Sequence, residues 1–526
     1  MMYWKRRAAN LPWLFGNCAI NIRISALAAE NRSNAMLDIV NFINGQHTRT
    51  SNQESLWSVN PATEARIATI NISGETDIDR AVQAARLAFE KGPWPQMTVE
   101  ERASFLHMVA DAIEENLAFF ARHECEDTGF LSKMCLHGHL PRAVEHFRFF
   151  AEEGKRFVGQ AVPVGNAYLN VTRHVPQGVV AIMTPWNGPL SVSSINLAAA
   201  LIAGNTVVLK PSELAPVTHS FLGQIFQEIG LPPGVVNIVH GAGEPTGQAL
   251  IQHPDINMFC FIGGTTVGKA VLHASSQTVR RSLLELGGKS PTVILQDAPL
   301  EQAIDGALVS AFSSNGQVCT AGSRIIVEKS IASDFCHDFI ERTDNIIIGD
   351  PFDENSEMGP MISARHRENI LNTIAIAQKE GGILRTGGVI PAGLQRGYYL
   401  KPTVFTDVRP ESSLARQETF GPVVSIFLAD DEDHALSLAN DTRFGLAGTV
   451  WSRDTARALA FAGKLCAGNI GINTPYIRDL RCPFGGFKES GIGAVGGTWS
   501  LAQYTQVQTL CLPVQSYSLP AYGRKN

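Results

Sequence analysis

The sequence has no C-x-x-C pair, and its nine cysteines are scattered singly along the 526 residues of the chain. Disulfide frameworks and zinc sites use paired or closely spaced cysteines, so neither is predicted and no metal site is expected. An odd number of dispersed cysteines is typical of a reducing compartment, which favours a cytoplasmic location.

Long apolar runs and blocks of like charge are also missing. No stretch approaches the roughly 20 apolar residues that a membrane-spanning helix needs, so we expect no membrane partner. The net charge is -6 and the basic residues are dispersed, which argues against nucleic acid as a partner. Apolar and charged fractions of 44% and 17% indicate a globular protein, whose length suits about three domains.

Acidic residues are absent before Glu30, although the same segment carries four basic residues. Its apolar part is interrupted by Pro12, so it does not match a secretory signal, whereas its composition is compatible with an organelle transit peptide. For residues 1–35 we favour a disordered extension or a start codon assigned too early, with the folded chain beginning near Met36.

Short apolar runs of strand length alternate with helical stretches from Gly178 onward. The runs VVAIM, TVVLK, VVNIV and MFCFI are each followed by a segment with helical spacing. This alternation predicts an α/β protein with a doubly wound parallel sheet, a class that often holds a dinucleotide. A second α/β pattern begins after Gly288. Residues 158–177 and 503–512 read as lone strands, whose exposed edges usually pair with another subunit.

One cysteine lies in a setting suited to chemistry. Cys319, in SSNGQVCTAGSR, follows an apolar helix-like run and precedes the strand-like run IIV. A partly exposed thiol near backbone donors can act as a thiolate nucleophile. Most cysteines are small buried apolar residues, so this pattern alone leaves both interpretations open.

Two other polar residues stand beside glycines or prolines where catalytic groups are often found. Glu285, in ELGGKSP, ends an apolar stretch and could be a general base or an ordinary ion-paired carboxylate. Asn187, in TPWNGP, supplies an amide that could donate to a developing oxyanion.

Several loops follow predicted strands and precede helices, where backbone N–H groups favour phosphate. The loop VHGAGEPTG contains Gly243 and Gly247, and FIGGTTVG contains Gly263 and Gly264. Each alone is more often just a turn. The segment KPSE, which begins with the last residue of TVVLK, could place the Lys210 ammonium and the Glu213 carboxylate on ribose hydroxyls. It could also be a solvated turn.

The order of these motifs identifies a family. PWN, KPSE, ELGGKSP, GQVCTAGSR, ETFGPV and PFGGFKESG occur in the order of the aldehyde dehydrogenase superfamily, which the chain resembles from roughly Met36 to Leu512. The resemblance implies an NAD-binding domain (36–157 and 178–287), a catalytic domain (288–499) and an oligomerisation module (158–177 and 500–514). It also implies a homodimer or homotetramer.

The resemblance implies a role for each catalytic candidate. Cys319 would be the nucleophile that attacks the aldehyde, and Glu285 the base that activates water to hydrolyse the thioester. The side chain of Asn187 and the backbone N–H of Cys319 would form the oxyanion hole. The presence of Glu285 disfavours a CoA-acylating enzyme, and the three residues together disfavour a weakly catalytic structural or binding protein on the same fold.

The implied cofactor is NAD. Glu418 and Phe420 would hold the nicotinamide ribose and ring, and Lys210 and Glu213 the adenosine ribose, where a carboxylate repels the 2′-phosphate of NADP. The residues expected to contact the cofactor are Thr184, Pro185, Trp186, Lys210, Ser212, Glu213, Gly243, Gly247, Phe261, Gly263, Gly264, Thr265, Leu286, Glu418 and Phe420.

The pattern PRA…FRFFAE with RDLR resembles the branch that oxidises hydroxymuconate or aminomuconate semialdehydes from aromatic-ring degradation. Arg142 and the last arginine of RDLR, Arg481, would hold the substrate carboxylate, since guanidinium forks suit carboxylates. The other expected substrate contacts are Arg478, Asn187 and Phe487. The alternatives are a structural ion pair, for example Arg478 with Asp479, and a neutral aromatic or betaine-type aldehyde as the substrate.

The chain departs from the family in three places. Ile195 and Asn196 stand where many members have Trp-Lys, and Ala494 and Val495 stand where they have Arg-Glu. That Lys and Glu are often assigned a proton relay, and losing both avoids an unpaired buried charge. We therefore expect slower or more pH-sensitive deacylation. Gly188, where a bulky residue is common, would widen the substrate tunnel.

Overall fold

The computed structural model describes residues 36–52, 54–475, 477–516, 519 and 521–523. The predicted extension over residues 1–35 therefore lies outside the described residues. Within the described part, no helix is both long enough and apolar enough to span a bilayer.

The strands of the described chain, in order, are β1 (Leu37–Ile39), β2 (Asn41–Ile43), β3 (Gln46–Thr48), β4 (Ser55–Val59), β5 (Arg66–Asn71), β6 (Ala161–Val164), β7 (Tyr168–Pro176), β8 (Val179–Met183), β9 (Thr206–Lys210), β10 (Val236–Ile238), β11 (Met258–Ile262), β12 (Arg281–Glu285), β13 (Pro291–Ile294), β14 (Arg324–Glu328), β15 (Ile383–Thr386), β16 (Thr403–Thr406), β17 (Val423–Ala429), β18 (Phe444–Gly445), β19 (Ala447–Trp451), β20 (Asn469–Ile472), β21 (Phe487–Lys488), β22 (Gly491–Ile492) and β23 (Thr505–Pro513).

The α-helices of the described chain, in order, are α1 (Glu75–Glu90), α2 (Val99–Glu115), α3 (Leu117–Thr128), α4 (Ser132–Met134), α5 (Leu140–Arg156), α6 (Pro189–Ile202), α7 (Val217–Glu228), α8 (Gln248–Gln252), α9 (Thr265–Ser276), α10 (Leu300–Phe312), α11 (Ala332–Asp344), α12 (Ala364–Lys379), α13 (Ser413–Arg416), α14 (Glu432–Asn440), α15 (Thr455–Ala462) and α16 (Gly497–Gln503).

The first large sheet has eight strands in the order β22-β12-β11-β8-β9-β10-β2-β3. Its five central strands are parallel, and antiparallel strands close both edges. All five residues of β8 are buried, as expected for a parallel strand covered on both faces. Val180 and Ile182 face a core shared with α5 and α6, whereas Val179 and Ala181 face a core shared with α1. The predicted doubly wound α/β class is confirmed.

The second large sheet has seven strands in the order β15-β16-β17-β14-β13-β19-β20. Its strands are parallel except for β15, which pairs antiparallel with β16. The strand β14 begins five residues after Cys319, so the framework of this sheet fixes one end of the cysteine loop.

A small antiparallel sheet joins the two segments that the sequence presents as lone strands. β7 pairs with β23 along nine residues, from Tyr168 opposite Pro513 to Pro176 opposite Thr505, and β6 pairs with the other edge of β7. The expectation of lone strands was wrong, because the two segments satisfy each other's backbone groups across more than 300 residues of chain. Their part in subunit assembly, like the division into domains, stays a prediction.

Two predicted helices show which helix starts the local sequence pattern predicts and which it misses. Thr98 and Glu101 have the sequence spacing that predicts a capping box, and the box forms at α2. The Thr98 hydroxyl accepts from the Glu101 N–H (3.2 Å), and the Thr98 N–H donates to the Glu101 carboxylate (2.7 Å). By contrast, the apolar stretch from Leu197 to Ala203 predicts a helix that begins near Leu197, whereas α6 begins eight residues earlier, at Pro189. Its first turns carry buried serines, whose hydroxyls bond to backbone carbonyls, as Ser193 does to Pro189 (2.7 Å).

Candidate active site

The loop that carries Cys319 is held by buried polar contacts. The side chain of Asn315 donates to the Pro360 carbonyl (2.9 Å) and accepts from the Gly359 N–H (2.8 Å). The side-chain oxygen of Gln317 accepts from the Ile362 N–H (3.0 Å). Gly316 has a φ of +69°, and a Cβ there would lie 2.6 Å from the backbone of Gly421, so only glycine fits. The cysteine is therefore presented by a rigid loop.

Cys319 carries a free, half-buried thiol. Burial raises the pKa of this thiol to about 12, with the carboxylates of Glu418 and Glu285 adding to the increase and the Arg478 guanidinium opposing it. The protein at rest therefore holds a neutral thiol, which must lose its proton before it can act as a nucleophile.

Glu285 is the last residue of β12 and is buried. Neither carboxyl oxygen has a hydrogen-bond partner among the described residues. Burial raises the pKa of Glu285 well above its usual value, and the positive charge of Arg478 acts in the opposite direction. Burial therefore favours the neutral form of Glu285 and makes its ionised form a stronger base.

Asn187 lies in the loop between β8 and α6. Its side-chain nitrogen donates to the Gln317 carbonyl (3.0 Å), which ties this loop to the cysteine loop. An amide nitrogen has two N–H donors, so one remains for another acceptor. The segment that follows Glu285 also reaches the cysteine loop, because a Cβ at Gly288 would lie 2.5 Å from the Cys319 carbonyl oxygen. The segments that carry Cys319, Glu285 and Asn187 thus meet.

The predicted adenosine contacts gather at the carboxyl ends of β8 and β9. The ammonium of the buried Lys210 lies 3.7 Å from the Glu213 carboxylate, and the Thr184 N–H donates to the Lys210 carbonyl (3.2 Å). A Cβ at Gly247 would lie 3.7 Å from Cε of Lys210, so the loop with Gly243 reaches the same place. The Ser212 hydroxyl accepts from the Leu214 N–H (3.2 Å) within the turn, and Pro185 follows Thr184 half-buried.

A second group of predicted cofactor residues surrounds the start of α9. Gly264 precedes the helix and is exposed, and a Cβ at this position would meet no described atom within 4 Å, so the N-terminus of α9 is open. A Cβ at Gly263 would lie 2.6 Å from the Phe261 ring, so a side chain at this position would displace that ring. Leu286 packs against Gly268 on the same helix, and Thr265 is the first helical residue.

Glu418 and Phe420 approach from the other large sheet. The Glu418 carboxylate accepts from the Gly288 N–H (2.9 Å). The Phe420 ring lies 5.4 Å from the Trp186 ring in an edge-to-face arrangement, and its carbonyl accepts from a ring nitrogen of His366 (2.8 Å). Predicted cofactor residues from both sheets therefore face one region next to Cys319.

The arginines differ from the expectation. Arg481 is 80% exposed and forms an ion pair with Asp479 (2.6 Å), whose carboxylate also accepts from the Arg481 N–H (2.8 Å). This local turn pairs Arg481 at the surface, which does not favour the predicted contact with the substrate carboxylate. Arg478 is the arginine whose charge acts on Cys319 and Glu285.

Phe487 also lies at the surface, and its contact with the substrate stays a prediction. It lies 55% exposed in β21, which pairs with β18, so its ring is turned outward. The buried aromatic next to Arg478 is Phe484, whose ring lies 4.7 Å below the guanidinium carbon. Arg142 is exposed on α5, and its charge reaches the buried His146 one turn further on.

The positions of the missing relay are filled by satisfied neutral groups. The side-chain oxygen of Asn196 accepts from the buried Tyr504 hydroxyl (3.0 Å), and Val495 belongs to the apolar core. Phe484, Tyr504 and His146 were not singled out from the sequence. Only His146 had a usable signal, because it lies four residues after Arg142 on a predicted helix.

The fold and the motif-bearing loops are those of an aldehyde dehydrogenase, and the family comparison agrees. Residues 48–510 match the aldehyde dehydrogenase family, so the chain belongs to that family.

Two curated relatives and one solved structure are similar over nearly the whole chain. The 2-hydroxymuconic semialdehyde dehydrogenase of Pseudomonas sp. (strain CF600) is 39% identical over 485 residues, which cover 91% of this chain and 100% of the relative. The 5-carboxymethyl-2-hydroxymuconate semialdehyde dehydrogenase of Escherichia coli is 38% identical, with 88% and 99% covered. The NAD+ complex of an aldehyde dehydrogenase from Bacillus cereus superposes with a TM-score of 0.90 at 38% identity, with 93% and 99% covered.

Proposed function

We propose that this protein uses NAD to oxidise a carboxylate-bearing semialdehyde to the acid through a cysteine thiohemiacetal and a thioester. The observation that carries the substrate class is the position of Arg478. Its guanidinium is the cation that acts on both Cys319 and Glu285, and it is half-buried above the Phe484 ring. A guanidinium at this depth suits a carboxylate on the far end of a bound aldehyde.

The residues present fit NAD. The open N-terminus of α9 would receive the pyrophosphate, the Lys210–Glu213 pair would hold the adenosine ribose, and Glu418 with Phe420 would hold the nicotinamide end. The Glu213 carboxylate would repel a 2′-phosphate. When bound, NAD supplies the acceptor for the hydride.

The chain's own residues would perform the other steps. The Cys319 thiol first loses its proton to water, and the thiolate then attacks the aldehyde carbon. The resulting oxyanion accepts hydrogen bonds from the second side-chain N–H of Asn187 and from the backbone N–H of Cys319. Loss of hydride leaves a thioester. Ionised Glu285 then takes a proton from water, whose oxygen attacks the thioester carbon and releases the acid and the Cys319 thiolate.

The test compares two arginines three residues apart in sequence. Arg478→Met should lower kcat/KM for adipic semialdehyde by about 10- to 100-fold more than for hexanal, because a hydrogen bond to a charged group is lost only with the semialdehyde. A loss common to both aldehydes reports the effect of the Arg478 charge on Cys319 and Glu285. Arg481→Ala is the matched control and should change neither value, since its guanidinium is already paired at the surface.

Equal losses on both aldehydes in Arg478→Met would contradict the carboxylate contact. A wild-type preference for hexanal would instead favour a neutral aldehyde as the substrate.

A further inference from the structure

Three buried side chains with metal-binding atoms meet near the start of α6: Glu124, Cys135 and His139. Glu124 lies on α3, whereas Cys135 and His139 are the first and last residues of a π-helical turn between α4 and α5. One ligand atom from each side chain lies within 4.8 Å of the other two. No other group of this kind occurs in the described part of the chain.

The surroundings hold these side chains in place. One carboxylate oxygen of Glu124, Oε1, lies 3.3 Å from Nδ1 of His139. The other, Oε2, accepts from the Leu190 N–H (3.4 Å) in the first turn of α6. The His139 ring packs edge-to-face against the Phe130 ring, with 5.5 Å between the centroids. Cys135 and His139 are four residues apart in one helical turn, so their side chains share a face.

The three ligand types are those that Zn²⁺ takes in proteins: a thiolate, an imidazole and a carboxylate. The thiolate and the carboxylate together would balance the two charges of the ion, which makes a buried complex electrically neutral. Binding displaces the proton of the Cys135 thiol, which leaves to the buffer.

The distances suit an ion of this size. Zn²⁺ forms bonds of about 2.0–2.3 Å in tetrahedral geometry, which places its ligand atoms about 3.3–3.8 Å apart. Movements of about 1 Å at the ligand atoms would therefore close the site around the ion. Cys135 is fully buried, whereas the His139 side chain is 11% exposed. Water would reach the ion from the histidine side and supply the fourth ligand.

We propose that Glu124, Cys135 and His139 bind one zinc-class divalent cation that links α3 to the π-helical turn. The prediction that the chain has no metal site depended on the absence of paired cysteines, whereas this ligand set contains a single cysteine.

The proposed ion would brace two segments of the candidate active site. Glu124 contacts the first turn of α6, which begins two residues after Asn187. The Ser314 hydroxyl of the cysteine loop donates to Sδ of Met134 (3.2 Å), the residue before Cys135. The metal is thus a structural one, and its presence is independent of the substrate.

The test uses Co²⁺ as the probe, because a cysteine thiolate bound to Co²⁺ gives a charge-transfer absorption band in the near ultraviolet. Co²⁺ is added to metal-free, full-length protein carrying Cys319→Ala, which removes a competing thiol. We expect a band that reaches its full height at one Co²⁺ per chain. Adding Cys135→Ser should abolish it. Adding Cys125→Ala, the matched control, removes a neighbouring buried thiol on α3 and should leave the band unchanged.

His139→Gln retains a polar partner for Glu124 but lacks the imidazole. It should weaken Co²⁺ binding by about 100-fold or more, since even the loss of an outer partner of a metal ligand costs about 10- to 100-fold. Zn²⁺ should displace Co²⁺ and should raise the unfolding temperature of the Cys319→Ala protein, but not that of protein that also carries Cys135→Ser.

The alternative is an ordinary Glu124–His139 ion pair beside a cysteine that packs as an apolar residue. It predicts no thiolate band in the Cys319→Ala protein, or a band of equal height after Cys135→Ser, and either result would overturn the proposal. If Cys135→Ser does not fold, an unchanged Co²⁺ affinity in His139→Gln would overturn it equally.

Discussion

Single residues determine the protonation states in the candidate site. Burial favours the neutral forms of three groups there, and the charge of Arg478 acts on each of them. The thiol of Cys319, the carboxyl of Glu285 and the imidazole of His146 all have pKa values moved toward their neutral forms, mainly by burial. Arg478 is the charge common to all three. In the proposed mechanism, Cys319 and Glu285 must lose a proton to react, so we expect turnover to increase with pH.

Glu285 should reduce stability in a pH-dependent way. Its folded pKa lies above the unfolded value of about 4.3, so stability is lost as pH rises from the unfolded toward the folded pKa. Glu285→Gln should therefore unfold at a higher temperature than the wild type at pH 8, with little difference near pH 4.5. Thermal unfolding at both pH values measures this.

Glu301→Gln, at an exposed position of α10, is the control and should show no such trend. A Glu285→Gln advantage that is equal at both pH values would argue against a neutral buried carboxyl.

At the residue scale, the sequence predicted the candidate catalytic residues but not all of their neighbours. Cys319, Glu285 and Asn187 belong to short motifs whose loops meet in the structure. The choice between Arg478 and Arg481 depended on a turn in which Asp479 binds Arg481, and no periodicity encodes that turn. The hydrogen bond between Nδ1 of His146 and the Ser194 hydroxyl joins residues that are 48 positions apart, which periodicity does not reveal.

At the scale of elements, the decisive feature is the rigidity of the cysteine loop. Ser314, Asn315 and Gly316 have φ values of +51°, +59° and +69° in succession. Asn315 and Gln317 fasten this strained turn to the segment 359–362. Strain of this kind persists only where the surroundings hold it, and it is common at functional sites.

Gly316→Ala should lower both stability and kcat, because the new Cβ would meet the Gly421 backbone and displace the loop. We expect a loss of about 1–3 kcal/mol in the free energy of unfolding and a larger relative loss in turnover. Denaturant unfolding and steady-state NADH formation measure the two effects.

Gly381→Ala is the matched control, since Gly381 also has a positive φ (+96°) but has open space around it. It should cost stability without affecting kcat. Equal kcat values for Gly316→Ala and the wild type would show that the loop tolerates displacement.

Elements were predicted best where the pattern is local. The buried strands β8, β9 and β11 match the predicted runs residue for residue, because a parallel strand covered on both faces is a continuous apolar run. The start of α6 was missed because its serines are buried through hydrogen bonds rather than by apolarity. The pairing of β7 with β23 joins distant segments, which periodicity cannot reveal.

At the scale of the whole molecule, the three-stranded sheet leaves apolar side chains uncovered on both faces. The strand registers place Val162, Val164 and Val507 on one face, and Leu510 and Leu512 on the other. An exposed apolar sheet is usually covered by a partner, which agrees with the homodimer or homotetramer that we predict.

Val507→Asp should reduce the molar mass in solution, because a carboxylate in an apolar interface is costly to bury. Light scattering during size exclusion measures the mass. Val309→Asp, at an exposed position of α10, is the control and should leave the mass unchanged. A wild-type mass of one chain would contradict the predicted assembly.

The most direct test of the proposed function is the ratio of kcat/KM for adipic semialdehyde to that for hexanal, measured by NADH formation with the wild-type protein. The proposed carboxylate contact at Arg478 predicts a preference for the semialdehyde of about tenfold or more, lost in Arg478→Met and kept in Arg481→Ala. A ratio of one or less in the wild type would contradict it.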